Sequence, residues 1–190
     1  MGLKRIAAPL VVVIALLMSG CAQSPGVAAT VNGHVIGDYA VQQGAAALKT
    51  MPGAASAFGI TDFGGFVLSN EIFSLIFDAV MPDFGITISD DQRDEYWNTY
   101  VPADNPVHAM WTDPRTKAAT RGFITMDMLN SMASQSAFDG TAFVTAMTQV
   151  SVSVNPRYGD WDQTNLDVAS RITGGPAGPL AIPTAFQIPT

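Results

Sequence analysis

Only two stretches of this 190-residue chain look like β-strands, and they lie far apart. The first runs over residues 27–36, where Val31 and Val35-Ile36 flank Asn32-Gly33. That dipeptide best tolerates the positive φ angles of a two-residue hairpin turn. The second is Ser151-Val152-Ser153-Val154, with polar and β-branched residues alternating. A lone hairpin is marginal in water, and a third strand would support it. The simplest arrangement brings residues 151–155 back beside the hairpin and closes it around what lies between. The predicted fold is therefore mainly α with a small β element, in which the N-terminal hairpin pairs with a C-terminal strand.

Everything between the two strand signals reads as helix or loop. Asp38 is placed to cap a helix running to about Lys49. Residues 51–65 hold Pro52, Gly53, Gly59, Gly64 and Gly65 and read as loop. Residues 66–81 form the most apolar helix candidate, stopped by Pro82. Its apolar side chains wrap most of the circumference, as in an element buried on several sides. Ser89 and Gln92 have capping-box spacing for a helix to about Tyr100. Residues 102–114 read as loop, with Asp113-Pro114 opening the next helix, to about Ser134. There Phe123, Met126, Leu129 and Met132 fall three apart, beside Ile124 and Met128, in one apolar stripe. Residues 138–150 repeat the pattern with Phe138, Ala142, Phe143, Ala146 and Met147.

The first twenty residues read as an export leader, with Lys4 and Arg5 ahead of a short apolar run. The run ends in Leu17-Met18-Ser19-Gly20-Cys21, which resembles the lipobox of bacterial lipoproteins. The resemblance implies cleavage before Cys21 and a covalent diacylglyceryl and N-acyl lipid (palmitate-type chains) on that residue. An ordinary cleaved signal with a chance cysteine is the alternative. Cys21 is the sole cysteine, and lipidation explains a single one in an exported chain. Two or more acyl chains suffice for stable anchoring. The chain then divides into a leader (1–20), a short tether (21–26), a folded domain (27–167) and a Gly/Pro-rich tail (168–190) expected to be largely disordered.

Charge narrows the partners. Once Lys4 and Arg5 leave with the leader, seven basic side chains face sixteen acidic ones, a balance of −9. That sign opposes nucleic-acid binding, and it opposes a polybasic grip on anionic lipid. It fits basic or apolar clients, and equally fits plain solubility.

Thr30-Val31-Asn32-Gly33-His34-Val35-Ile36, followed by a capped helix, resembles the start of the SurA N-terminal domain. Val152-Ser153-Val154-Asn155-Pro156-Arg157-Tyr158-Gly159-Asp160-Trp161 resembles the segment that closes this module in SurA-like lipoproteins of actinobacteria. The family comprises periplasmic chaperones and peptidyl-prolyl isomerases such as SurA and PrsA. The resemblance implies a helical module that assists unfolded or nascent exported polypeptides, held by its lipid on the outer face of the cell membrane. Isomerase catalysis in that family belongs to separate parvulin domains, and no stretch here matches one. No catalytic residue, metal ligand set or cofactor site emerges from the spacing. Two other readings stay open: a scaffold lipoprotein recruiting one envelope partner, and a prolyl isomerase.

Individual residues have plainer readings beside these. His34 and His108 read as solvated surface histidines, and Asp90, Asp91, Asp94 and Glu95 as a favourable helix start. Met126, Met128, Met132 and Met147 form either core or an adaptable client surface. Arg157 and Tyr158 either lock the closing segment onto the helices or meet a client, with Pro156 and Gly159 shaping a turn. A groove between the helices, rather than a sealed core, would favour the chaperone.

Overall fold

Asn32 and Gly33 adopt φ of 47° and 83°, so the expected tight turn joins β1 (Val27–Val31) to β2 (His34–Gly37). In the computed structural model, which describes residues 26–135, 137–161 and 172–173, a third strand lies on the other side of β1. This is β3 (Val152–Val154), antiparallel to β1 with Ala29 opposite Val154 and Val31 opposite Val152. The sheet order is β2-β1-β3, and the distant strand signals meet as expected. Asn32 fastens the junction: its N–H donates to the Ser151 carbonyl at 2.8 Å, and its Oδ1 accepts from Ser151 N at 3.0 Å. Ala29, Val31 and Ile36 face inward and are buried.

Seven α-helices fill the interval among the described residues: α1 (Asp38–Thr50), α2 (Ala54–Phe58), α3 (Phe63–Val80), α4 (Asp90–Tyr100), α5 (Ala109–Thr112), α6 (Lys117–Ser134) and α7 (Gly140–Met147). The centre is α3, with Phe66, Val67, Leu68, Ile72, Phe73, Ile76 and Phe77 all buried. Together with the turn after it (Phe63–Phe84) it is long and apolar enough to cross a membrane, but 67% of its most apolar stretch is buried in the protein. It is the core helix that its all-round apolarity predicts. Against it lies α6 in close contact, made possible by Gly122 over the Asn70 carbonyl.

Several local expectations are corrected. Asp38 is the first residue of α1 rather than its cap; Gly37 holds the cap position without a side-chain bond. Residues 51–65 are not all loop: α2 forms between Gly53 and Gly59, both left-handed, and α3 starts at Phe63 under an Asp62 cap that accepts from Gly64 N. Pro82 does not simply stop α3; it sits in a 3₁₀ turn, Met81–Phe84, that prolongs it. Residues 102–114 carry a 3₁₀ turn (Pro106–His108) and α5. Asp113-Pro114 is not the start of α6, because Asp113 binds Arg115 and the chain turns once more before Lys117. The last helix is shorter than residues 138–150, beginning at Gly140 under an Asp139 cap. The capping box of Ser89 and Gln92 forms as read.

Beyond β3 a 3₁₀ turn (Pro156–Tyr158) leads to β4 (Asp160–Trp161), which pairs with β5 (Ile172–Thr173). Of that pair, β4 lies in the expected domain and β5 in the stretch read as a disordered tail, which therefore contributes a strand at residues 172–173. The leader, Cys21 and the rest of the tail lie outside the described residues.

Candidate functional site: an apolar cleft and its polar supports

The α6 stripe does not close completely on its neighbours. Met126, Leu129 and Ala133 of α6, Phe73 and Phe77 of α3, and Phe143, Val144 and Met147 of α7 wall a cleft of about 70 Å³, partly open to solvent. Phe138 and Gly140 complete its rim, and Asn130 supplies its one polar side chain. The volume is well below the roughly 300–1,000 Å³ of small-ligand sites, so the cleft is a shallow seat rather than a ligand pocket.

Aromatic packing shapes the walls. Phe73 and Phe77 stack at 5.6 Å, and Phe143 meets Phe138 at 5.2 Å and Phe84 at 5.1 Å. Trp161, from the closing segment, stands edge-on to Phe73 at 5.5 Å. The position of α7 is fixed by Asp139, whose Oδ1 accepts from Ala142 N at 3.0 Å. Such a lining can hold an apolar side chain by burial. It offers no nucleophile and no titratable side chain among the residues named.

Of the methionine stripe, Met126 and Met147 line the cleft. Met128 and Met132 are half-buried beside the core. The sequence pattern missed Val144 and Asn130. Val144 had a signal: it is apolar, stands three positions before Met147 at the edge of the same stripe, and is 37% exposed.

The motif residues gather around the sheet and the start of α1, as a lock rather than a pocket. Val31 and Ile36 are core, while Asn32 and Gly33 form the turn. Val154 pairs with Ala29. Asn155 ties three points: its N–H donates to the Ala28 carbonyl at 2.8 Å, its Nδ2 to the Val27 carbonyl at 3.0 Å, and its Oδ1 accepts from Arg157 N at 3.2 Å. Pro156 opens the 3₁₀ turn and Gly159 leaves it at φ 97°. The Tyr158 hydroxyl donates to Asp38, and Arg157 pairs with the same carboxylate while lying over the Tyr158 ring at 4.9 Å. Asp38, expected as a helix cap, instead anchors the closing segment to α1.

The acidic start of α4 serves packing. The Arg93 side chain is 1% exposed; its Nε donates to Thr125 Oγ1 at 2.8 Å and its Nη1 to Asp90 at 3.0 Å. Burial, and then the positive charge of Arg121, lower its pKa, while Asp90 and Asp78 oppose the shift. Arg121 grips Asp78 with two bonds, at 2.7 and 2.9 Å, which raise its own pKa. Asp94 accepts from Trp111 Nε1 at 2.9 Å. No cluster of metal-ligating residues occurs among the described residues. Tyr96 donates to Asp127 at 2.5 Å; burial raises the pKa of each, and the shared hydrogen bond opposes the rise at Asp127. His34 is exposed as read, but His108 is not simply solvated: its Nδ1 lies 2.6 Å from the Val101 carbonyl and its own carbonyl accepts from Trp97.

No family model, curated protein or solved structure matches the chain.

Proposed function

We propose that this is a lipid-anchored, extracytoplasmic chaperone-like protein of SurA N-terminal type, which holds exported polypeptides without a catalytic step. The observation that carries the proposal is the open cleft walled by Phe73, Phe77, Met126, Phe143 and Met147. A sealed core has no use for such a gap, since tight packing is the favoured state of an interior. Methionine and phenylalanine walls adapt to side chains of varied shape, which suits weak, sequence-tolerant binding. Kinship with SurA is supported by the meeting of the two motif-bearing segments, β1–β2 and β3 with its Asn155–Gly159 turn. The anchor rests on the lipobox-like Leu17–Cys21 sequence.

The protein is expected to delay aggregation of an unfolded client at near-equimolar ratio. No delay at tenfold excess would overturn the reading. The modest size of the cleft also favours a second reading, in which one envelope partner inserts a single apolar anchor. Crosslinking in cells separates them: many unfolded clients support the chaperone, and one dominant partner supports the scaffold.

A further inference from the structure

We propose that Val35 and Tyr39 form a foot by which the domain rests on the lipid surface, an inference that depends on Cys21 being the anchor. These are the most exposed large apolar side chains among the described residues, at 62% and 74%. Val35 stands on the outer face of the sheet, opposite Thr30, which in turn pairs with Ser153, while Ala29, Val31 and Ile36 take the inner face. Nothing in the fold needs an apolar residue there. Tyr39 follows in the first turn of α1.

Both flank the point where the chain enters the fold. Val27 pairs with Gly37, and the Asp38 N–H donates to the Gly26 carbonyl at 2.7 Å. Cys21 lies five positions before Gly26. Five residues span at most about 18 Å when fully extended. A domain of this size has a radius of gyration of roughly 14 Å, so the tether keeps this corner, rather than any other part of the fold, nearest the bilayer. The headgroup layer is about 5–7 Å deep on each side. Tyrosine suits that layer, with an apolar ring and a polar tip. A foot of this kind also fits the charge, because the net acidic balance of the chain opposes an electrostatic grip on anionic lipid.

The test uses the full lipidated chain in phosphatidylcholine/phosphatidylglycerol vesicles, with nitroxides on V35C, Y39C and T141C in turn. Lipid occupies the Cys21 sulfur, so only the new cysteine takes the label. At positions 35 and 39 oxygen should relax the nitroxide several-fold more than a water-soluble nickel chelate does. At position 141, on the exposed side of α7, the order should reverse. Chelate access at 35 and 39 equal to that at 141, in chains that float with the vesicles, would overturn the foot alone. Chains that fail to float would overturn the anchor and the foot together. Spin–spin broadening that disappears on dilution with unlabelled protein would show a second copy covering the patch, and would also overturn it.

Discussion

Gly122 is the residue whose replacement the helix pair could least absorb. A Cβ there would lie 1.9 Å from the Asn70 carbonyl oxygen and 2.9 Å from its carbon, both rigid backbone atoms of α3. The two helices must separate to admit a methyl group, and overpacking of this kind costs about 3 kcal/mol or more. Chemical denaturation of G122A should show that loss. G140A is the matched comparison: its Cβ would meet only Ala133 at 3.5 Å, an ordinary contact, so it should be neutral or slightly stabilising. Glu71 makes a second prediction at this scale. Burial pushes its carboxyl from the ordinary 4.5 to about 7. The folded chain therefore holds this proton more tightly than the unfolded one. The stability that proton confers is complete below pH 4.5 and is lost as pH rises through 7. Allowing for partial solvent access, the loss is on the order of 2 kcal/mol. E71Q should flatten the stability profile between pH 5 and 8, measured by urea denaturation at each pH; parallel profiles for the two proteins would refute the assignment.

At the scale of elements, the closing segment depends on few groups. Asn155 reaches the Val27 carbonyl and caps the turn at Arg157, joining β3, β1 and the 3₁₀ turn through one side chain. N155A should cost about 1–2 kcal/mol by these two losses. Hydrogen exchange should rise first at β1 and β3, with α3 and α6 still protected. The elements legible in the sequence were those whose signal is local. Asn32-Gly33 carries its own turn geometry, Ser89 and Gln92 carry their own cap, and the apolar circumference of α3 announces its burial. The misread elements depended on distant partners. Asp38 lost its capping role to Tyr158 and Arg157, more than a hundred residues away. Helix α2 survives between two glycines because Ala54 and Phe58 are buried in the core, which local composition does not reveal. The cleft was least legible of all. Periodicity puts Met126 and Leu129 on one stripe and Phe143 and Met147 on another, but the gap between stripes follows from how α7 docks.

The whole molecule therefore separates two tasks: the sheet and its Asn155–Tyr158 lock close the chain, while α3, α6 and α7 leave a cleft between them partly uncovered. If that gap were an imperfection of packing, filling it would benefit stability and harm nothing. Ala133 lies on its wall, half-buried, and a larger apolar side chain there can extend into the space. A133F should hold or raise the denaturation midpoint, since it adds buried apolar surface without displacing a core group. The same variant should weaken client binding tenfold or more, about 1.4 kcal/mol, because the phenyl ring takes the place of the client's side chain. Fluorescence anisotropy with a labelled unfolded peptide measures the second effect, and denaturation the first. Loss of both stability and binding would mean that the ring has forced the helices apart, and A133L, a smaller filling, would then decide between the readings. A stable variant that binds clients as well as the parent would make the cleft a packing gap and remove the observation on which the chaperone reading stands.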